Sequence, residues 1–167
     1  MRIHMDSFFI FSAEYLIAAP AIILGAYYFT RAWPAQKPMT LFAVPAGILS
    51  YALGLLGNFI YYDPRPFVVG HFTPLIAHLP DNGFPSDHTL LAATLASVGM
   101  YWNKWLGLLL WILAGIIAIA RVYVGLHHPT DVIGSIIIAI VAVSIWRAVV
   151  EYAILQGLFS VGGGRPG

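Results

Sequence analysis

The chain has 167 residues, of which 60% are hydrophobic and only 9% charged. Soluble domains carry about 25% charged residues, so this composition belongs to an integral membrane protein. The formal net charge of +1 and eight scattered basic residues exclude a nucleic-acid-binding stripe, and the absence of cysteine excludes thiol nucleophiles, thiolate metal sites and disulfides.

A spanning helix needs about 20 mostly apolar residues. The sequence predicts five, giving an all-α, polytopic membrane helix bundle. The first runs from about Ser7 to Phe29, too long for the apolar part of a cleavable signal. It contains Glu14, read as lining a groove for lipid or bonding a neighbouring helix. The second runs from Met39 to Tyr61, after a basic loop with Arg31 and Lys37. The stretch Tyr62 to Phe84 is long and polar, and part of it is expected to lie along the interface. In it, Asp63 and Asp81 read as loop charges, and His71 and His78 as solvated. The third span is Pro85 to Tyr101, followed by a tight turn at Asn103 and Lys104. The fourth is Trp105 to Val122 and the fifth Thr130 to Tyr152. Residues 1–160 read as a single domain and 161–167 as a flexible tail.

Alternation of five spans puts Arg31, Lys37, Lys104 and Arg147 on one side. The positive-inside rule makes that side cytoplasmic. The other side gathers Arg65, Pro85-Ser86-Asp87-His88, Arg121, His127 and Asp131 at helix ends. Charges at that depth are costly, so the convergence needs a reason. Arg65 and Arg121 offer planar donors that match phosphate oxygens. The helix start at Ser86 and Asp87 offers backbone N–H groups and a favourable dipole for an anion. Asp131 can fold back to His127 Nδ1 and leave Nε2 free to attack or to take a proton.

The order Arg65-Pro66, then Pro85-Ser86-Asp87-His88, then Arg121-Val122-Tyr123-Val124-Gly125-Leu126-His127-His128-Pro129-Thr130-Asp131 resembles the three-part signature of the type 2 phosphatidic acid phosphatase superfamily. The resemblance covers about Asn58 to Gly134, and Phe84-Pro85-Ser86-Asp87-His88-Thr89 looks most like the bacterial undecaprenyl-pyrophosphate phosphatases. It implies a metal-independent phosphatase in a bacterial inner membrane, without cofactor, acting from the outer face on a lipid phosphate. Undecaprenyl diphosphate is the favoured substrate; phosphatidylglycerophosphate, phosphatidate and lipid A phosphate are alternatives. His127 would form a phosphohistidine, Asp131 would orient it, and His88 would serve the leaving oxygen and then water. Arg65, Arg121, Ser86 and the backbone of Asp87 and His88 would hold phosphoryl oxygens. The family's first motif begins with a Lys where this chain has Asn58, which would contribute an uncharged amide to the phosphate. Two other classes compete. A transporter or channel would use the polar cluster as an anion site. A metal-dependent hydrolase would use His88, His127 and Asp131 as ligands, against the repulsion of the arginines. The sequence carries no signal for the oligomeric state.

Overall fold

A computed structural model describes residues 2–157; the glycine-rich tail falls outside the described residues. The regular elements of the described residues are all helices: α1 (Arg2–Glu14), α2 (Ala18–Phe29), α3 (Trp33–Ile60), α4 (Pro66–Val69), α5 (Asp87–Trp102), α6 (Lys104–Tyr123) and α7 (Pro129–Leu155). Helices are what such a sequence must form, because lipid offers the backbone no hydrogen bonds. α3, α6 and α7 are each long and apolar enough to cross a membrane, and α1 with α2 adds a fourth, bent span.

The first span departs from the single helix expected over Ser7 to Phe29. It breaks between Glu14 and Ala18 and bends by 51°. Pro20 explains the break. It has no N–H for the Leu16 carbonyl, and its ring clashes with a carbonyl four residues back. Leu16 O is taken instead by Ala19 N at 3.0 Å, a tighter turn than an α-helix makes. Glu14 therefore ends a helix and is exposed, not enclosed within one.

α5 has 16 residues, about 24 Å of helix against a hydrocarbon core of about 30 Å. It packs against α3, α6 and α7 in the middle of the bundle. Its inner faces are small: Ala92, Ala93 and Ala96 are fully buried. Small residues let helices approach closely where the hydrophobic effect no longer drives association. The closest approach is to Gly107 of α6, where an added Cβ would lie 2.3 Å from Met100 Cα. Asn103 caps α6 by accepting from Trp105 N and Leu106 N at 2.9 and 3.1 Å. Ser50 and Thr94 share a buried hydroxyl hydrogen bond of 2.6 Å between α3 and α5.

The outer loop holds one helical turn, α4. The rest crosses the end of the bundle. Leu75 N donates to Val124 O at 3.0 Å, which ties the loop to the α6–α7 turn. That turn needs glycine at Gly125, whose φ is +81° and whose added Cβ would strike Phe72.

Candidate active site

The α6–α7 turn presents His127. Leu126 N and His127 N both return to Arg121 O, at 3.2 and 3.3 Å, closing the C-terminus of α6. Pro129 then opens α7 at a position where its missing N–H costs nothing. The result is a side chain only 2% exposed at the end of the bundle.

The partners of the His127 ring settle its tautomer. Nδ1 lies 2.8 Å from the Gly83 carbonyl oxygen, which can only accept, so Nδ1 carries the hydrogen. Nε2 lies 3.3 Å from Arg65 Nη1 and 3.2 Å from Arg121 Nη2, which can only donate. Nε2 therefore holds the lone pair, between two guanidinium groups. Burial pushes the His127 pKa down; Asp131 raises it, and the charges of Arg121 and Arg65 lower it again, with a net fall from 6.5. The ring is neutral at neutral pH, as a nucleophile or base must be.

The two arginines reach this nitrogen from different sides. Arg65 precedes α4 and is 5% exposed. Its Nε donates to Asp81 Oδ1 at 2.6 Å, Nη1 to Leu126 O at 2.9 Å and Nη2 to Asn82 O at 3.4 Å. Arg121, 6% exposed, sits in the last turn of α6. Its Nη1 donates to Ala13 O of α1 at 3.3 Å, and its buried Nε has no hydrogen-bond partner among the described residues.

Asp131, fully buried in the first turn of α7, sits 3.4 Å from His127 Nδ1 through Oδ2. The same Oδ2 accepts from His128 N at 2.9 Å, so the carboxylate also caps α7. Its Oδ1 is buried and unbonded among the described residues. A cavity of about 460 Å³ opens over His127. Arg65, Arg121, Asn58, Asp87 and His88 line it, and Tyr51, Gly54 and Leu55 of α3 give it an apolar wall. Six of the eight candidate residues thus meet at one cavity. Among the described residues no three His, Asp or Glu side chains are grouped so as to hold a metal ion.

The PAP2 superfamily model matches residues 39–155, well over half the chain. The chain belongs to the PAP2 superfamily. Undecaprenyl-diphosphatase BcrC of Bacillus subtilis (strain 168) is 36% identical over 137 residues, 82% of this chain and 70% of that protein. A protein of Bacillus licheniformis named bacitracin transport permease protein BcrC is 31% identical over 79% of this chain and 65% of its own length. Among solved structures, the crystal structure of Aquifex aeolicus LpxE matches with a TM-score of 0.71 and 25% identity, over 86% of each chain. Family, relatives and helices together support a multi-pass membrane lipid phosphatase.

Ser86, Asn58 and the neighbouring His128 of this PAP2 chain also hold the site's own backbone together. Ser86 is fully buried and does not line the cavity. Its N–H donates to Ser135 Oγ at 2.8 Å, and its hydroxyl accepts from Thr89 at 3.1 Å. It ties α5 to α7. Asn58 donates Nδ2 to Phe84 O at 2.8 Å, so one amide hydrogen is already held by the chain itself. His128 Nε2 lies 3.1 Å from Pro64 O. Sequence reasoning did not anticipate three contacts. The first is the Gly83 carbonyl, which has no side chain to signal it. The second is Ser135, an ordinary helical serine in sequence. The third is Asp81, which pairs with Arg65 instead of standing free as a loop charge. Burial pushes the Asp81 carboxyl up, but the hydrogen bond and charge of Arg65, with His78 adding, hold it below its usual range.

Proposed function

We propose that this chain hydrolyses a polyprenyl diphosphate, undecaprenyl diphosphate first among candidates, to the lipid monophosphate and inorganic phosphate, through a phosphohistidine and without a metal. The observation that carries the reading is His127 Nε2, unprotonated and flanked by two guanidinium groups at 3.3 and 3.2 Å over a cavity. Phosphoryl transfer asks chiefly for positioning and charge stabilisation.

In the first step the Nε2 lone pair attacks the terminal phosphorus in line with the bridging oxygen. The bond from phosphorus to that oxygen breaks, and protonated His88 gives its proton to the departing lipid phosphate. His127 Nδ1 keeps its hydrogen, so the phosphorylated ring is cationic. The Gly83 carbonyl and the Asp131 carboxylate are placed to stabilise that charge. In the second step neutral His88 takes a proton from water. The water oxygen attacks phosphorus, the phosphorus–nitrogen bond breaks, and phosphate leaves with His127 neutral again. Arg121, whose buried Nε has no partner among the described residues, and Arg65 neutralise the phosphoryl oxygens throughout. The apolar wall on α3 suits the part of the substrate nearest the bilayer, and the basic loops at the other end of the bundle favour an outer-face site by the positive-inside rule. The similarity to a diphosphatase at 36% identity favours the diphosphate over a monoester.

The test is phosphate release from a panel of lipid phosphates, with and without chelator. His127→Ala is expected to lower turnover by about 10⁴-fold and to abolish a quench-trapped, acid-labile phosphoenzyme. Unchanged release in that variant sinks the reading. The name of the Bacillus licheniformis relative motivates a flux assay in liposomes, where transport without hydrolysis favours a carrier.

A further inference from the structure

The matched family segment begins at Met39, so α1 and α2 lie outside it. They are nevertheless joined to the site. The break between α1 and α2 leaves the Ala13 carbonyl with no helical donor, and Arg121 Nη1 takes it at 3.3 Å. The same guanidinium reaches His127 Nε2 through Nη2 at 3.2 Å. α1 is fixed against the end of α6 by three further contacts. Ala13 is fully buried in a cluster with Ala120, Val124 and Leu126. Phe9 stacks on Tyr123 with ring centroids 3.9 Å apart. Asp6 accepts from the Tyr123 hydroxyl at 2.9 Å. Tyr123 lies between Arg121 and His127 in the chain, so the docked helix clamps the segment that carries both.

We propose that α1 is a positioning arm for Arg121: the break at Tyr15–Ile17 presents the Ala13 carbonyl, which sets the guanidinium plane so that Nη2 faces His127 and Nε is left for phosphate. A guanidinium is rigid and planar, so fixing one nitrogen and the stem fixes the directions of the others. A continuous helix would bond the Ala13 carbonyl to its own backbone and leave Arg121 free to rotate. Phe9, Asp6 and Ala13 act through Arg121 and do not touch the reacting atoms. The inference rests on the reading of Arg121 as a phosphate ligand.

The experiment uses full-length protein in lipid nanodiscs with inorganic phosphate as probe, followed by calorimetry and by product inhibition. Phe9→Ala is expected to weaken phosphate binding about three- to tenfold, the range of one ordinary hydrogen bond, because the charged donor is misdirected and not removed. Phe9→Tyr, which keeps the stack, restores it. In an Arg121→Lys background, where no planar group remains to be set, Phe9→Ala is expected to add nothing. An unchanged affinity in Phe9→Ala, or an equal loss in both backgrounds, overturns the proposal. Should Phe9→Ala not fold, Tyr123→Phe removes the Asp6 bond and keeps the ring, and the same two outcomes decide. Wild-type protein that binds phosphate with this coupling but releases none from lipid diphosphates sinks the phosphatase reading alone. Turnover without the coupling sinks the arm alone.

Discussion

Arg65 and Arg121 donate to the same nitrogen, yet one is bound to the loop that covers the site and the other to a helix beside it. Arg65 directs Nε, Nη1 and Nη2 to Asp81, Leu126 and Asn82. Arg121 directs Nη1 to Ala13 and leaves a buried Nε without a partner among the described residues. An unbonded buried donor costs stability, and such groups concentrate where a ligand completes them. On the proposed reading the difference gives the two cations unequal work: Arg65 organises the loop as well as the site, while Arg121 keeps donor capacity for substrate.

Arg121→Ala breaks the comparison most directly. Its expected cost is about 10²- to 10³-fold in kcat, the cost of removing a preorganised donor to a developing anion, with a smaller thermal loss than in Arg65→Ala, because only the Ala13 carbonyl loses its donor and an unbonded buried donor goes with it. Arg65→Ala is expected to lower activity as well. It also leaves the buried Leu126 carbonyl without this donor and unties Asp81 and Asn82, for a loss of about 2 kcal/mol in stability. Equal thermal losses in the two variants would erase the distinction.

The contrast also explains what the sequence made legible. Arg65, Arg121, His88 and His127 announce themselves because charged groups at the ends of apolar helices are expensive and their residue types suit phosphate. Five apolar runs likewise announce a helical bundle. The groups that orient these side chains are mostly backbone carbonyls: Gly83 on His127, Leu126 on Arg65, Ala13 on Arg121. A carbonyl is the same at every residue, so no composition or spacing points to it. The break in the first span was legible in principle, since Pro20 stands six residues after Glu14. Membrane helices often absorb a proline, as α3 does at Pro38 and Pro45, so the residue alone does not decide. Ser86 shows the opposite case: its place in a phosphate motif pointed to the ligand, and its burial beside Ser135 shows a joint between helices.

Asp131 tests whether the shared nitrogen depends on one orienting partner or two. In a triad where the carboxylate alone fixes the tautomer, its amide variant costs about 10⁴-fold. Here the Gly83 carbonyl holds Nδ1–H at 2.8 Å and Asp131 stands further off at 3.4 Å. Asp131→Asn is therefore expected to cost only about 10- to 100-fold in kcat, in the range of other supporting contacts. The pH profile gives a second measure. Burial already holds the His127 pKa below 6.5, so the acidic limb of kcat/KM falls below that value. Asp131 raises that pKa, so its amide variant moves the limb further to acid. A limb that moves toward alkali contradicts the assignment.

The smallest expected effect lies at the mouth of the cavity. Asp81 is half exposed, yet its Oδ1 stands 2.6 Å from Nε of a nearly buried Arg65. On the proposed reading a carboxylate there mimics a phosphoryl oxygen, and an incoming phosphate competes with it for the same guanidinium. Asp81→Asn is expected to lower KM about two- to fivefold with kcat unchanged, the modest size reflecting a solvent-screened pair. Arg65 holds the Asp81 pKa below 3.8, so the carboxylate is ionised above about pH 5. The variant's advantage is accordingly flat from there to neutrality, and the competition fades only as the pH falls through that lowered pKa. A KM that rises in Asp81→Asn gives the residue the opposite role: the pair with Asp81 then holds Arg65 ready for phosphate, and the loop side of the site serves substrate no less than the helix side does.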